Sequence, residues 1–334
     1  MMTSQGQEDP IFSVIIVNFN AGERLVRCLG DLSRQIETRF EVIIADNASK
    51  DNSVQLAQAT DVKFRLMALG QNTGFAVANN LAAVEAKAPW LVFLNPDAYP
   101  EATWLAEIKN AIDRHPSVDA FGSTQIDASD ENRLDGAGDV YHGFGIPYRG
   151  HFGHPLSSLP TEGECFAPCA AAAVYRRSVF EEIGGFAEEF FCYGEDVDLG
   201  FRLRLIGGRS IQLPAARVHH EGSGISGRRS DFTMYHGHRN RIWTYFRNMP
   251  ILLLVLMFPF HLVANFYLLL RFIVSGEVKP YLRALKDGFG GLGPVLRQRR
   301  DIQQRRKIST MDVARALTWS PFKVFNRKAD IRRR

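Results

Sequence analysis

Short apolar runs alternate with segments of helical periodicity along the first part of the chain. Most of these runs are apolar almost throughout, which is typical of strands buried on both faces of a parallel sheet. The predicted strands cover residues 11–19, 40–45, 62–68 and 90–94. The predicted helices between them cover about 25–36, 53–59 and 75–87. This alternation predicts an α/β fold with a doubly wound, mostly parallel sheet.

The pattern becomes less regular after the fourth predicted strand. Residues 115–165 are rich in Gly, Pro and His and have poor periodicity, so we predict loops and short strands that shape a substrate cleft. A helix is predicted from about 195 to 206. Residues 214–227 are polar and contain several glycines, and we predict a mobile loop there.

Polar side chains follow three of the predicted strands. Asn18, Asp46 and Asp97 each lie just past a strand end, and open α/β sheets bind their ligands at the edge where parallel strands end. The first strand is not followed by G-x-G-x-x-G, and the chain has no G-x-x-x-x-G-K-[ST]. The site is therefore not typical of a dinucleotide-binding Rossmann domain or a P-loop NTPase.

Asp97 and a histidine pair are candidate metal ligands. Asp97 follows a buried strand and a proline, where a carboxylate can hold Mg²⁺ or Mn²⁺ against a diphosphate. It can equally cap the next turn. His219 and His220 could complete the metal shell or contact phosphate, although a His pair on a surface loop more often does neither.

Glu195, Asp196 and Asp198 cluster at the start of the helix predicted from 195. The helix dipole by itself favours acidic residues there, and Asp198 can pair with Arg202 four residues later. Asp196 is turned about 100° from each neighbour. It can therefore point into a cleft and act as general base for a sugar hydroxyl.

Taken in this order, the motifs resemble those of the GT-A-fold glycosyltransferases of family 2, especially the rhamnosyltransferase-like branch. Each piece is weak, but the set is specific. The matching stretches are VIIVNFN (14–20), VIIADNASKDNS (42–53), NTGFAVANN (72–80), FLNPDAYP (93–100), FFCYGEDVDLGFRLRLIGG (190–208) and VHHEGSGIS (218–226).

The resemblance implies roles for particular residues. Asp196 would be the catalytic base, with Glu195 beside it. Asp97 would hold a divalent cation, Mg²⁺ or Mn²⁺, and His219 or His220 would add a metal or phosphate contact. The implied nucleotide-sugar-binding residues are Asn18, Asn20, Asp46, Asn72, Gly74, Asn95 and Asp97. The family's D-x-D metal motif is N-P-D here, which removes one charge, so we expect weak cation binding without nucleotide.

The resemblance also implies a reaction. The enzyme would be an inverting, metal-assisted glycosyltransferase that uses a nucleoside-diphosphate sugar as donor. The acceptor would be a hydroxyl of a saccharide or lipid-linked saccharide in cell-surface polysaccharide synthesis. Rhamnose from a dTDP donor is the expectation that the family favours, with UDP- and GDP-sugars open. The linkage and the oligomeric state are also left open.

Charge and hydropathy divide the chain unevenly. The overall net charge is +4, but the residues from Arg271 onward carry 17 Lys and Arg against 5 Asp and Glu. We predict a catalytic domain over 8–245, a hydrophobic membrane-associated segment over 246–275 and a basic tail over 276–334. The four cysteines lack the spacing of a zinc site or a disulfide framework, so free thiols are expected.

The apolar stretch 249–275 is long enough to span a bilayer. A single span would place the basic tail on the outer side if the catalytic domain is cytosolic, against the positive-inside tendency. We therefore favour a re-entrant or interfacial hairpin kinked at Pro259, with the tail on anionic lipid at the cytoplasmic face of the inner (plasma) membrane. A buried helical pair is the other possibility. The tail lacks interleaved aromatic residues, so no nucleic-acid partner is expected.

Two other functions are compatible with parts of the pattern. A nucleotidyltransferase would favour a Gly-rich loop with Lys or Arg after the first strand, and VNFNAGER (17–24) is a poor match. A non-catalytic, membrane-attached scaffold with a degenerate transferase domain is disfavoured by Asp97 and the intact EDVD at 195–198.

Overall fold

The computed structural model describes residues 9–222, 227 and 230–333. The strands are β1 (Phe12–Asn18), β2 (Phe40–Asp46), β3 (Arg65–Ala68), β4 (Trp90–Leu94), β5 (Ala98–Pro100), β6 (Ala120–Asp127), β7 (Asp130–Gly136), β8 (Asp139–His142), β9 (Ile146–Arg149), β10 (Gly163–Glu164), β11 (Ala172–Arg176) and β12 (Ser210–His220). Two short 3₁₀ helices cover Leu156–Ser158 and Glu188–Phe190.

Helices fill most of the remaining chain. They are α1 (Glu23–Ser33), α2 (Ser53–Gln58), α3 (Gly74–Val84), α4 (Trp104–Arg114), α5 (Arg177–Glu182), α6 (Glu195–Leu205), α7 (Asp231–Asn248), α8 (Ile251–Ser275), α9 (Val278–Gly290), α10 (Leu292–Gln304), α11 (Thr310–Ala316) and α12 (Pro321–Phe325). The four strands and four helices predicted before residue 207 all form, with ends shifted by a few residues.

Within the described residues, ten strands form one mixed sheet. Its order is β10-β12-β6-β11-β4-β1-β2-β3, with β5 paired to β12 and β7 paired to β6. The strands β4, β1, β2 and β3 are parallel neighbours, as the continuous apolar runs predict. β11 is antiparallel to both β4 and β6, and β12 is parallel to β6. The ends of β1, β2, β4, β6 and β12 therefore lie at the same edge of the sheet.

Apolar side chains cover both faces of this sheet. Val14 and Ile16 of β1 belong to one core cluster, which α1 and α4 cover. Ile15 points to the other face and packs in a cluster with Phe93, which α3 and α6 cover. Because successive strand residues point to opposite faces, an almost wholly apolar strand is what a sheet with helices on both sides requires.

The prediction of a loop over 214–227 is wrong for the first half of that range. β12 continues to His220, with a register shift against β6 between Leu213 and Arg217. A bulge of this kind absorbs extra residues without ending the strand, so the Pro and Ala residues at 214–216 interrupt the pairing only locally. Residues 223–226, which end the last motif, lie outside the described residues.

The hairpin predicted for 249–275 is also wrong, because α8 is one continuous helix that contains Pro259. Leu253, His261 and Asn265, on both sides of the proline, are all buried against the rest of the protein. These contacts hold both halves in line. Among the described residues, α8 alone is long and apolar enough to cross a membrane by length and composition.

The basic segment after α8 folds back onto the catalytic part. The Arg299 guanidinium donates to the Phe246 carbonyl at 2.9 Å, and the Lys307 N–H donates to the Leu205 carbonyl at 2.9 Å. Further along, the Glu164 N–H donates to the Arg332 carbonyl at 2.8 Å. Helices α9–α12 therefore pack against the sheet domain, and the domain boundaries given above stay a prediction.

Candidate active site

The end of β1 is tied to the loop after β2 by one buried side chain. The Asn18 amide donates to Asp46 Oδ1 at 2.8 Å, to Ser49 Oγ at 3.0 Å and to Ser53 Oγ at 2.8 Å. Asn18 Oδ1 is buried and makes no hydrogen bond. Asn18 therefore holds this edge together from beneath, and Asp46, its partner, is also buried.

Asn20 lies at the surface of the same loop pair. It has a positive φ of 53°, a conformation that Asn tolerates better than most residues. Its Oδ1 accepts the Lys50 N–H at 2.7 Å, and its own N–H donates to Ser49 Oγ at 3.0 Å. Of the two asparagines predicted to line a nucleotide pocket, Asn20 is exposed and Asn18 is buried.

Gly74 is required by close packing at the start of α3. Its φ is +84°, and a Cβ there would lie 2.5 Å from the Phe191 ring and 2.7 Å from the Phe191 carbonyl. Asn72 accepts the Gly74 N–H at 3.0 Å. Asn47, which sequence reasoning missed, donates to the Gly74 carbonyl at 3.0 Å. The Asn47 bond ties the loop after β2 to the start of α3, and the Ala76 N–H of α3 donates to the Phe191 carbonyl in the loop before α6 at 3.1 Å.

Asp97 lies beside the buried His220 ring at the end of β12. Oδ1 of Asp97 is 3.4 Å from His220 Nε2, and the other ring nitrogen, Nδ1, is 2.7 Å from Asp135 Oδ2. Burial lowers the pKa of His220, but the two carboxylates outweigh burial and raise it to about 9. His219 points to the opposite face of the strand, where its Nε2 is 3.5 Å from Glu101 Oε1.

The Asp97–His220 pair would hold a divalent cation once His220 Nε2 gives up the proton that its raised pKa implies, because a metal-binding imidazole is neutral. Nε2 of His220 is buried without a hydrogen bond and faces a carboxylate oxygen of Asp97. Nδ1 can donate to Asp135, and this carboxylate–histidine arrangement is what orients metal-binding imidazoles. Imidazole and carboxylate together suit Mn²⁺ and its neighbours. The structure thus brings together two of the three predicted metal ligands and leaves His219 apart from them.

Asp196 is fixed in the first turn of α6 by backbone amides. Its Oδ2 accepts the Ala170 N–H at 3.1 Å, and its Oδ1 accepts the Val197 N–H at 2.8 Å. Asp198 is buried and accepts from the Arg202 guanidinium at 2.8 Å. Asp198 therefore pairs with Arg202, as their spacing predicts, whereas Asp196 is bound by backbone amides.

The strand register brings the segment around Asp97 close to Asp196. Leu94 of β4 pairs with Ala172 of β11, and the Asn95 N–H donates to the Ala171 carbonyl at 3.0 Å. Ala170, which binds Asp196, is the next residue toward the amino end. The short segment 169–171 therefore lies against both predicted catalytic segments.

Two side chains next to Asp196, those of Asp139 and Cys169, have raised pKa values. The metal-capable atoms of Asp139, Cys169 and Asp196 lie within 4.8 Å of one another. Burial raises the pKa of Asp139 well above its usual range, and the Asp196 charge adds to this. Burial also raises the pKa of the Cys169 thiol. A protonated thiol is a poor ligand for a hard cation, so this cluster suits proton transfer better than Mg²⁺ binding.

Glu195, like Asp139, is more deeply buried than Asp196. It is buried, and burial raises its pKa well above the usual range, with a further contribution from the Asp196 charge. Asp196 is less buried than either Glu195 or Asp139. The more accessible carboxyl group is the one that the hydroxyl of an acceptor can reach.

A chain of charged side chains, buried except for the half-buried Arg149, leads from Asp97 towards Asp196. Beyond His220, Asp135 pairs with the Arg149 guanidinium. Burial lowers the pKa of Arg149, but the nearby Asp135, Cys169, Asp139 and Asp196 together raise it. Sequence reasoning missed Asp135, Asp139 and Arg149, because they lie in the segment without periodicity; the spacing of two acids in DGAGD (135–139) was the available signal.

The loop before α6 has an unusual backbone and a dedicated support. Phe191 and Tyr193 have positive φ values of 66° and 68°, a strained conformation for bulky residues. The Asn240 amide of α7 donates to the carbonyls of Phe190, Cys192 and Tyr193 at 2.9, 2.9 and 2.7 Å. One side chain, 44 positions beyond Asp196 in the chain, thus holds the loop that delivers the candidate base.

A mixed sheet with acids at the ends of its parallel strands, facing the start of α6, defines the GT-A class of glycosyltransferases. The chain belongs to glycosyl transferase family 2, whose family model matches residues 13–184. The protein is therefore a glycosyltransferase, as the motifs predict.

Curated relatives share the same family. The N-acetylglucosaminyl-diphospho-decaprenol L-rhamnosyltransferase of Mycobacterium tuberculosis (strain ATCC 25618 / H37Rv) is 29% identical over 250 residues, which are 65% of this chain and 78% of that protein. The O-antigen biosynthesis protein RfbC of Myxococcus xanthus is 32% identical over 228 residues, which are 63% of this chain and 17% of that protein.

Solved structures agree on the fold. Residues 1–349 of S. aureus TarS in complex with UDP-GlcNAc match with a TM-score of 0.56 and 16% identity, covering 92% of this chain and 93% of that chain. The Pyrobaculum calidifontis mannosyltransferase PcManGT in complex with GDP-Man and Mn²⁺ matches with a TM-score of 0.53 and 15% identity, covering 92% and 86%. At such identities the likeness concerns the fold alone.

Proposed function

We propose that this protein is an inverting glycosyltransferase that moves a sugar from a nucleoside-diphosphate donor to a hydroxyl of a saccharide or lipid-linked saccharide. The observation that carries the proposal is the position of Asp196. Backbone amides of Ala170 and Val197 hold its carboxylate beside the segment that bears Asn95 and Asp97. A base and a diphosphate-binding acid at one sheet edge suit sugar transfer.

The reaction follows from this placement. Asp196 accepts the proton of the acceptor hydroxyl, whose oxygen attacks the anomeric carbon of the donor sugar. The bond between that carbon and the diphosphate oxygen breaks, and the diphosphate leaves with the electron pair. One displacement from the opposite face inverts the configuration of the anomeric carbon. Burial raises the pKa values of Asp139 and Glu195, and Asp196 is the most accessible of the three carboxyl groups, so it is the one placed to take this proton.

Asp97 and His220 would hold a divalent cation. When bound, the cation would neutralise charge on the departing diphosphate. Asp135 would keep the His220 ring oriented through the bond to Nδ1. Asn20, Asp46, Asn72 and Gly74 would border the nucleotide side of the site.

The donor and the acceptor follow from the relatives. Rhamnose from a dTDP donor is proposed because the M. tuberculosis relative is named as an L-rhamnosyltransferase. That name and the O-antigen role in the name of the M. xanthus protein support an acceptor used in cell-surface polysaccharide synthesis. A lipid-linked acceptor would bring the enzyme to the cytoplasmic face of the inner membrane, and the exposed apolar helix α8 supports such an association.

The donor is identified by thermal shift of the purified chain with Mn²⁺, using dTDP-, UDP- and GDP-sugars in parallel. The proposal expects one nucleotide class to raise the melting temperature, and chelator or Asp97→Ala to reduce the shift. Release of nucleoside diphosphate is then measured with and without a saccharide acceptor. Acceptor-stimulated release with an inverted product supports transfer. Binding without release would indicate a scaffold, and pyrophosphate release from a nucleoside triphosphate would indicate a nucleotidyltransferase.

A further inference from the structure

Most exposed side chains of helix α8 are apolar, with Arg271 near its end as a charged exception, whereas its two central polar side chains are buried. The buried positions are Leu253, His261, Asn265 and Phe272, so the two polar side chains in the middle of the helix face the protein. The exposed positions are Ile251, Leu252, Val255, Leu256, Phe260, Leu262, Val263, Phe266, Tyr267, Leu270, Ile273 and Val274. A surface helix in water has the opposite arrangement, and so large an apolar patch marks an interaction surface.

The inner face of α8 contacts the catalytic part along its whole length. The Tyr245 hydroxyl donates to the Leu254 carbonyl at 2.9 Å near the start. In the middle, His261 Nδ1 lies 2.8 Å from the Phe144 carbonyl. Near the end, the ring centroids of Phe272 and His238, in α7, are 5.1 Å apart. These contacts span about 27 Å of helix at 1.5 Å per residue.

This docking is incompatible with a transmembrane orientation. A helix that crosses the roughly 30 Å hydrocarbon core would carry the docked part of the sheet domain into lipid. The buried Arg241, whose guanidinium donates to Asn265 Oδ1 at 2.6 Å, belongs to that docked part, and charged groups are costly in hydrocarbon. The helix must therefore lie along the protein surface.

The segments that precede and follow α8 also contact each other. Arg299, which follows the helix, donates to the carbonyl of Met249, which precedes it, at 2.6 Å. A single crossing would separate these two residues by a bilayer. The contact between them is compatible only with a helix whose two ends remain on the same side.

We propose that α8 is a monotopic membrane anchor, lying in the plane of a lipid surface that carries anionic headgroups, with its outer face in the acyl region. Helix α9, which follows after Gly276, supplies the basic border. Its exposed side chains Lys279, Arg283 and Lys286 accompany the exposed Leu282 and Phe289, a combination typical of helices at anionic membrane interfaces.

A second copy of the chain fits the exposed face of α8 less well than an anionic lipid surface does. In a two-fold interface the same patch meets itself, so the basic side chains of α9 in both copies would border one contact. Like charges brought together in this way oppose association. An anionic lipid surface neutralises the same side chains.

This inference deepens the proposed membrane association, so lipid binding is tested separately from sugar transfer. The full chain is floated with phosphatidylcholine vesicles with and without phosphatidylglycerol. We expect the V263E/F266E variant to bind at least about tenfold less than wild type. The control I36E/L81E changes two exposed apolar residues outside α8, Ile36 and Leu81, and should float like wild type. The K279Q/K286Q variant should lose binding mainly to the anionic vesicles.

Each outcome is decisive. Equal flotation of V263E/F266E and wild type would overturn the proposal, as would a wild-type dimer that ignores vesicles and dissociates in that variant. Should V263E/F266E fail to fold, judged by circular dichroism, K279Q/K286Q decides. Nucleoside diphosphate release with a soluble acceptor should be unchanged in these variants, and its absence from wild type as well would count against the proposed function alone.

The orientation has its own test. Single cysteines replace two exposed residues, Asp113 in α4 and Arg300 in α10, and are labelled with an impermeant maleimide in sealed vesicles. A monotopic helix predicts that both cysteines react from the same side. Labelling from opposite sides would mean that α8 crosses the bilayer and would overturn the proposal.

Discussion

Polar side chains are buried both at the sheet edge and in helix α8, but their roles differ. At the sheet edge, Asp97, His220 and Asp135 form a buried run of charges that ends at the half-buried Arg149, whose pKa Asp196 helps to raise. In α8 the buried His261 and Asn265 serve only to dock the helix. The first arrangement positions charge for a ligand, and the second leaves apolar surface free for lipid.

This difference teaches how to interpret buried polar groups. In α8 each buried polar bond fixes one element against another, and removing it should cost stability. At the sheet edge, His220 Nε2 and Glu195 Oε2 make no hydrogen bond with the described residues, which is also true of His261 Nε2 in α8, but they lie beside the predicted catalytic acids Asp97 and Asp196. Removing those groups should cost activity or cation binding more than stability.

The largest effect is expected at Asp196. Asp196→Asn removes the base, so kcat should fall by about 10²–10⁴, while the donor still binds. Nucleoside diphosphate release and donor affinity are measured on the same preparation. The matched control is Glu195→Gln, which mimics a protonated carboxyl and should keep kcat within a few-fold. Equal losses in both variants would contradict the assignment of the base.

The next largest effect is expected at Asp135. Asp135→Asn weakens the acceptor that orients His220, so the apparent affinity for Mn²⁺ in the presence of nucleotide should fall by about 10–100-fold. His219→Ala serves as the control, since His219 lies beside Glu101, and should change this affinity little. Titration of activity with Mn²⁺ measures both. A larger effect of His219→Ala would reverse the choice between the two histidines.

A smaller effect on stability is expected in α8. Asn265→Ala removes the side-chain amide acceptor of the buried Arg241 guanidinium and leaves it the Gly145 carbonyl at 3.5 Å, which should lower the free energy of unfolding by about 1–3 kcal/mol. Val263→Ala, on the exposed face, should change it by less than about 0.5 kcal/mol in detergent. Chemical unfolding of both variants tests this. Similar losses would mean that the two faces of α8 are not distinct.

The smallest effect is a pH dependence from Glu195. Its folded-state pKa lies above the reference value of 4.5, so its contribution to stability is present below that value and is lost as pH rises through the folded pKa. Glu195→Gln removes this dependence. The stability of the variant relative to wild type should therefore increase between pH 5 and pH 8 in urea unfolding. A constant difference would mean that Glu195 ionises normally.

Much of the catalytic half could be predicted, because its signals are local. The continuous apolar runs predict β1, β2 and β4, and the polar residues that follow them, such as Asn18 and Asp97, lie at one edge because parallel strands share their direction. The pairing of Asp198 with Arg202 followed from helical spacing alone. The family of the chain followed from the order of the motifs.

The features that could not be predicted from the sequence depend on contacts between residues far apart in the chain. Asp135, Asp139 and Arg149 come from a segment with no periodicity, and Asn240 supports the loop before α6 from a helix much further along the chain. The hairpin prediction for α8 relied on Pro259, a local signal, whereas docking of His261 and Asn265 on the sheet domain decides the shape. Only the folded chain reveals such contacts.

The central claim is that Asp97 and Asp196 border one crevice that holds the diphosphate and the transferred sugar. The most direct measurement is a crystal structure of the full-length Asp196→Asn variant with Mn²⁺ and the nucleotide sugar identified by thermal shift. The account predicts the cation between Asp97 and His220, and the anomeric carbon between the diphosphate and residue 196. A donor bound elsewhere, or packed side chains filling the space between the two positions, would contradict it.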